Sequence, residues 1–365
     1  MAAARRRPTM YDVAREAGVS HQTVSRVIND APNVAAGTSE RVREAMARLG
    51  YRPSASARSL AARRSRVIGV VTFVGPYFGP MSTIQGVEAA ARARGYTPHT
   101  VSLAGLGLDQ ARGLLDDLLQ RDVEGLVVVA PTDEQAGLVD SVIPRELPVL
   151  ALEARLPGRP LVASDNVHGG ELAAEHLVSL GHTRIGLVAG PPDWSEARLR
   201  TVGFESVLAA SGLAPAGKAD GDWSARSGYE AWPALRDAGV TAVYVANDQM
   251  ALGVLSALCE SGLRVPEDVS VVGYDNTPES GWYYPPLTTV EQEFRRAGEV
   301  GIEQLVRLVE GTEVEPEVLV SPALVVRRST GAPAGAAGSD ATTPGTAGGG
   351  AATARAPQES LSRPG

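Results

Sequence analysis

The chain has one cysteine, one lysine and no long apolar run, and each shortage excludes something. A lone thiol, Cys259, excludes an internal disulfide framework and a cysteine-based zinc site, and it reads most simply as a small core residue of its helix. No stretch reaches the roughly 18 consecutive apolar residues of a membrane-spanning helix. Behind the basic start comes Pro8-Thr9-Met10-Tyr11-Asp12 rather than an apolar segment, so no secretory signal is read and a soluble, cytoplasmic protein is expected. His99, His168, His176 and His182 lack metal-ligand spacing and are expected to be solvated or capping groups, so neither a metal nor a cofactor is expected. Gly105-Leu106-Gly107 is too short for a dinucleotide fingerprint. Lys218 is the only lysine among 34 basic residues, and alanine and glycine abound. That pattern points to base composition, so arginine richness alone is weak evidence for nucleic-acid binding.

What is present is uneven. Residues 1–66 carry 13 Arg against 5 acidic residues, a net of +8, whereas the other 299 residues carry a net of −16. A basic head on an acidic body suggests a polyanion-binding module joined to something that must not stick to polyanions. At 365 residues and 44% hydrophobic, the chain is long enough for two or three domains with substantial cores.

Residues 9–50 read as three short helices. Thr9 to Asp12 has capping-box spacing, the first helix ends near Ala17, and Gly18 supplies the turn. Ser20 is the expected N-cap of a second helix reaching about Asn29. Thr38 or Ser39 is expected to cap a third, with Val42, Ala45, Met46 and Leu49 on one face. Ala14, Gly18 and Val24 supply the small residue, turn glycine and buried apolar residue of a helix-turn-helix. Its second helix buries Val24, Val27 and Ile28 and exposes His21, Gln22, Ser25, Arg26 and Asn29. In such a motif the N-terminal end of this helix enters the DNA major groove. Gln22 can pair two-fold with adenine and Arg26 with guanine, each worth about 1–3 kcal/mol of discrimination.

Residues 51–66 form a basic, Ala-rich bridge, helix-permissive but too short to be stable alone. From Val67 short apolar strands (67–73, 125–130, 147–152, 184–189, 242–246, 269–274) alternate with helical patterns (81–94, 109–120, 169–180, 196–211, 226–237, 248–261). Parallel sheets in two α/β lobes follow, with ligand space between them. A last helix, 294–310, and a strand, 318–326, return the chain across the hinge. In residues 331–365 Gly, Ala, Pro, Ser and Thr fill 29 of 35 positions, so that segment is expected to be a disordered tail.

TMYDVAREAGVSHQTVSRVIND (9–30), Tyr51-Arg52-Pro53 and Ala57-Arg58-Ser59-Leu60-Ala61 resemble the head of the lactose-repressor (LacI/GalR) family of bacterial transcription regulators. GDWSARSG (221–228), VANDQMALG (245–253), SVVGYDNT (270–277), PPLTTV (285–290) and ARLR (197–200) extend the likeness through the body. The resemblance implies a small all-α helix-turn-helix head and an α/β two-lobed periplasmic-binding-protein-like (type I) effector domain. It implies a basic arm at 1–8, a head at 9–52, a hinge helix at 53–66 and a body at 67–330. The body divides into a first lobe of about 67–163 plus 293–319 and a second of about 164–291 plus 320–330. Thr9, Ser20, His21, Gln22, Thr23, Ser25, Arg26, Asn29, Ala57 and Arg58 are then DNA-binding positions, and Leu60 matches the leucine that wedges into the minor groove.

By the same resemblance Arg200, Asn247 and Asp275 match residues that hydrogen-bond sugar hydroxyls. Trp223 matches the aromatic against which the sugar packs, and Gln292 and Phe294 match the cleft's far side. Phe73, Tyr77, Pro80 and Glu153 complete the expected effector site, and Pro80 is retained from the family. Glu153 stands where the lactose-repressor branch has an aspartate, and His21 where it has a tyrosine. Phe73, Tyr77 and Phe78 make the first-lobe loop more aromatic than its counterpart. The expected protein is a repressor that binds a palindromic operator as a homodimer, without tetramerising heptads, and is released by a galactoside-like sugar. Another sugar or a corepressor is the alternative within the family. A sugar transport protein would lack the head. A sugar-cleaving enzyme would need two of Asp165, Asp248 and Glu291 to flank a bond, and nothing in the sequence places them so.

Overall fold

The computed structural model describes residues 8–28, 31, 33–51, 64–73, 75, 77–153 and 155–334. Asn29, the hinge positions Ala57, Arg58 and Leu60, and the tail beyond residue 334 lie outside them.

The head is three helices: α1 (Met10–Ala17), α2 (His21–Ile28) and α3 (Ala36–Leu49). Thr9 and Asp12 close a complete capping box on α1, and Gly18, in the left-handed region at φ 65°, turns the chain toward α2. Ser20 Oγ accepts the Thr23 N–H at 3.1 Å, the N-cap bond expected of it. Helix α3 begins earlier than expected: Ala35 is its N-cap and makes no side-chain cap, so Thr38 and Ser39 lie inside the first turn. Val13, Val24, Val27, Val42 and Ala45 are buried together, with Ile28, Met46, Leu49 and Tyr51 partly buried around them.

The body holds two six-stranded sheets. The first contains β1 (Val67–Thr72), β2 (Thr97–Ser102), β3 (Gly125–Val129), β4 (Val149–Leu152), β5 (Leu161–Ser164) and β11 (Glu317–Val320), ordered β11-β5-β4-β3-β1-β2 and parallel throughout. The second contains β6 (Ile185–Ala189), β7 (Gly217–Asp220), β8 (Ala242–Val245), β9 (Ser270–Asp275), β10 (Thr288–Glu291) and β12 (Ala323–Val325), ordered β12-β10-β9-β8-β6-β7. Only its β10–β12 pair is antiparallel. Helices cover both faces of each sheet. In the first, α4 (Phe78–Ala93) and α11 (Phe294–Val309) cover one face, α5 (Leu108–Leu119) and α6 (Asp133–Val142) the other. In the second, α7 (Asn166–Ser179) and α8 (Ser195–Ala210) oppose α9 (Ala225–Asp237) and α10 (Asp248–Glu260). Period-two alternation makes this possible: Leu126 and Val128 face one layer while Val127 and Val129 face the other.

Several expectations are corrected. The segment 318–326 is two strands, one in each sheet, because Ser321-Pro322 breaks pairing where the chain changes lobes. Strands β2, β5, β7 and β10 and helix α6 were not anticipated; β2 and β7 are edge strands with alternating partial exposure and carry no apolar run. Cys259 is exposed, one residue past the buried Leu258 on α10. His182 is buried, not solvated, and bonds Thr241, Ser270 and the Gly331 carbonyl. Gly331, which the composition assigned to the tail, is therefore tied to the body.

Candidate functional site

The carboxyl ends of the strands in both sheets border one cleft, the place where open α/β sheets bind ligands. Between the lobes lies a cavity lined from both sides. Glu153 follows β4, Asn247 follows β8, Asp275 ends β9, and Gln292 and Phe294 follow β10. The expected Tyr77, Pro80, Glu153, Arg200, Trp223, Asn247, Asp275, Gln292 and Phe294 all line it. Phe73 does not: its ring is packed against the first lobe's own core beside Val71, because it continues β1 on the inward side of the sheet.

Three of these residues sit in left-handed backbone, Glu153 at φ 65°, Trp223 at φ 72° and Asp275 at φ 106°. Such strain persists where surrounding contacts fix it, and functional sites concentrate it. The Trp223 loop is fixed by Asp222, whose carboxylate accepts from the Ser224 N–H at 2.9 Å, and by Ser224, which caps α9. The Trp223 ring lies so close to Gly190 that a Cβ there would overlap it.

Arg200 is the organising cation. Its Nε donates to Asn166 Oδ1 at 2.8 Å, its Nη1 donates to the Ala246 carbonyl at 2.6 Å, and Nη1 stands 3.6 Å from Asp275 Oδ1. Its guanidinium lies 3.9 Å from the Tyr274 ring centre and 5.5 Å from that of Trp223. Gln292 Nε2 donates to Asp275 Oδ1 at 2.8 Å. Burial pushes the Asp275 carboxyl up to about 6, with Arg200 and Gln292 opposing the rise. Asn247 caps α10 through Met250 N and also donates to the Trp223 carbonyl at 3.1 Å, linking cap and aromatic wall. Beneath them the buried Asp248 accepts from Thr277 N at 2.7 Å and Thr289 Oγ1 at 2.6 Å, which fixes the turn carrying Asp275.

The first-lobe wall is aromatic and acidic. Phe78 packs edge-on against Phe294 at 5.8 Å, and Tyr77 meets Trp194 at 5.7 Å, which in turn meets Trp223 at 5.5 Å. Glu153 accepts from Ser164 N and Oγ at 3.0 and 3.3 Å, and burial raises its pKa. Reading residues one at a time missed Thr83, Val129, Trp194, Glu196 and Gln249, and left Phe78 as a loop residue only. A signal existed for Glu196: it lies one helical turn before Arg200 on the same face of α8.

On the head, His21, Gln22 and Arg26 project from α2 as exposed side chains, Ser20 is exposed, and Thr9, Thr23 and Ser25 are half-exposed. The His21 ring lies 5.2 Å from that of Tyr11, which is itself exposed. Among the described residues no helix is long and apolar enough to cross a membrane. Asp165, Asp248 and Glu291 serve structure: Asp165 caps α7, and Glu291 accepts from Asn276 Nδ2 at 2.9 Å.

A helix-turn-helix head followed by a two-lobed body with a polar, aromatic cavity defines a ligand-responsive DNA-binding protein. A profile described as bacterial regulatory proteins, lacI family, matches residues 9–54, and one described as a periplasmic binding protein-like domain matches residues 174–330. The chain is 40% identical over 329 residues to the lactose operon repressor of Escherichia coli (strain K12), covering 89% of this chain and 91% of that one. It is 35% identical over 334 residues to the HTH-type transcriptional repressor PurR of Haemophilus influenzae, covering 88% and 98%. A solved Lac repressor dimer bound to operator and the anti-inducer ONPF matches with a TM-score of 0.83 and 38% identity, over 90% of this chain and 100% of that one. The chain belongs to the LacI family of bacterial regulatory proteins and is a DNA-binding transcription repressor.

Proposed function

We propose that this repressor binds a palindromic operator as a homodimer and is released by a small sugar, a galactoside in the first instance, held between its lobes. The observation that carries the reading is the convergence of Asp275, Arg200, Asn247 and Gln292 with Trp223 on one cavity. A pyranose offers an apolar face to an indole and a rim of hydroxyls to carboxylate, amide and guanidinium groups. A site built to bond hydroxyls discriminates strongly against analogues that lack them. The Trp223 Nε1–H is buried with no acceptor among the described residues, a donor that a ligand oxygen would satisfy. The similarity to a lactose operon repressor supports a galactoside. On the head, Gln22 and Arg26 read bases, while Thr9, Ser20, Thr23 and Ser25 hold the backbone and His21 sets the operator preference. Ala57, Arg58 and Leu60 are carried over from the resemblance as further operator contacts.

The second reading keeps the family and changes the effector to another sugar or a corepressor. It is favoured by the first-lobe wall of Tyr77, Phe78 and Glu153, and by the 35% identity to a PurR repressor. Tryptophan fluorescence separates the two readings, because Trp194 and Trp223 both line the cavity. Titration with methyl β-galactoside is expected to change the emission saturably in the micromolar to millimolar range, and Trp223→Phe to remove most of the change. Emission indifferent to galactosides but responsive to another small molecule would move the assignment to that class.

A further inference from the structure

Glu196 is a buried carboxylate in the first turn of α8, bonded to its own backbone N–H and to Ser195 but to no cation. It is 8% exposed and lines the cavity. Its one side-chain neighbour is Ser195 Oγ at 3.3 Å, and that hydroxyl has a single hydrogen, which it also aims at the Pro131 carbonyl at 3.3 Å. The charged groups facing Glu196 are Glu153, across the cavity at the end of β4, and Arg200, one turn along α8. Arg200 is committed elsewhere, to Asn166, the Ala246 carbonyl and Asp275. Among the described residues the cavity lining therefore holds three carboxylates, Glu153, Glu196 and Asp275, against one guanidinium, and no lysine or histidine. With Arg200 and Asp275 set against each other, Glu153 and Glu196 have no cation of their own.

A buried carboxylate without a cation or a full set of donors is unfavourable. Asp275 solves this with Arg200 and Gln292, and Glu153 in part with Ser164. Glu196 has only its own backbone N–H and the shared Ser195 hydroxyl. We propose that Glu196, with Glu153 facing it across the cavity, forms a cation-accepting subsite that selects a sugar effector bearing a protonated amino group over its neutral counterpart. The inference rests on the sugar reading above and names the sugar's class more narrowly. A hydroxyl could donate one hydrogen bond to Glu196. An ammonium group brings three donors and the missing charge. Burial and, less strongly, Glu153 push Glu196 up to about 7, so the carboxyl takes up a proton near neutrality. An arriving ammonium replaces that proton, which passes to solvent; no bond other than O–H is broken.

The test is titration calorimetry on the full-length protein with matched neutral and amino sugars. Galactose and glucose would be set against counterparts carrying the amine at C2 or at C6, and against N-acetylated forms whose amine is capped. At least one free amino sugar is expected to bind about tenfold to a hundredfold tighter than its neutral and N-acetylated partners, the size expected of a charged hydrogen bond. Glu196→Gln, whose operator binding without sugar reports that it is folded, is expected to lose that preference. Neutral sugars binding as tightly as every amino counterpart would overturn the inference and leave the sugar reading standing, and so would a preference that survives in Glu196→Gln. A cavity that takes up neither kind of sugar would overturn both.

Discussion

Arg200 concentrates the second lobe's chemistry in one side chain: it bridges α7 through Asn166, β8's end through the Ala246 carbonyl, and β9 through Asp275. Removing it leaves Asp275 buried without its cation, the arrangement that makes broken buried pairs expensive. Arg200→Ala is therefore expected to lower folding stability by about 3–5 kcal/mol in denaturant titrations. A loss below about 1 kcal/mol would mean that the pair is solvated, which its burial contradicts. The buried carboxyls also set a pH dependence. Burial chiefly pushes Glu196 and Asp248 up to about 7 and Asp275 up to about 6, from ordinary values of 4.5 and 3.8. A carboxyl whose pKa is higher folded than unfolded stabilises the fold while it is protonated, and that contribution is lost as pH rises through the folded value. The thermal midpoint is therefore expected to be higher at pH 6 than at pH 8, with Asp248→Asn reducing the difference. A midpoint that rises between pH 6 and pH 8 would contradict the burial described for these groups.

Among the elements, the α7–α8 contact places the site. The two helices cross backbone to backbone: a Cβ on Gly203 would overlap the Val167 carbonyl, and one on Gly170 the Arg200 carbonyl. The same closeness lets Arg200 Nε reach Asn166. Gly203→Ala must push the helices apart and is expected to cost about 1–3 kcal/mol, as overpacking does, and to weaken sugar binding by the same displacement. An unchanged denaturation midpoint would show that the crossing is looser than this. On the head, Thr9→Ala is expected to cost about 1 kcal/mol through the lost cap, read in denaturant titrations of the full chain.

Strands were legible in the sequence where a buried apolar run is long enough to read; β5, fully buried but only four residues, was not. β1, β3, β6 and β9 are near-continuous apolar runs and read directly as parallel strands. β2 and β7 carry Thr, Pro, His, Lys and Asp at the sheet edges, where half the side chains meet water, so no hydrophobic pattern marked them. Arg200, Trp223, Asn247 and Asp275 were legible because they lie in the strings that resemble the family. Trp194 and Glu196, also of the second lobe, were not: they stand at the start of α8, where Trp194 meets Tyr77 of the first lobe, a contact no local pattern encodes.

For the whole molecule the question is how a ligand between lobes reaches DNA. The lobes touch beside the cavity through Tyr77 on Trp194, the Thr132–Trp194 bridge, Ser195 N to the Pro131 carbonyl at 3.1 Å, and Arg198 to Asp133 at 3.4 Å. The chain also crosses between the sheets at residues 164–166, 291–294 and 320–323. Asp275 and Arg200 line one wall of the cavity and Glu153 and Tyr77 the other, so under the proposed reading a ligand touching both would bias one arrangement of the lobes, and only such differential affinity shifts an equilibrium. Coupling of this kind is typically worth about 1–3 kcal/mol, or about 5- to 150-fold in DNA affinity. The most direct test is fluorescence anisotropy of a labelled palindromic operator, obtained by letting the protein select it from random duplex DNA, at one fixed salt concentration with and without sugar. The account predicts tight binding that a sugar weakens at least about fivefold in the wild type and leaves unchanged in Trp223→Phe. Sugar that saturates the cavity, as read by fluorescence, without moving the anisotropy would contradict it.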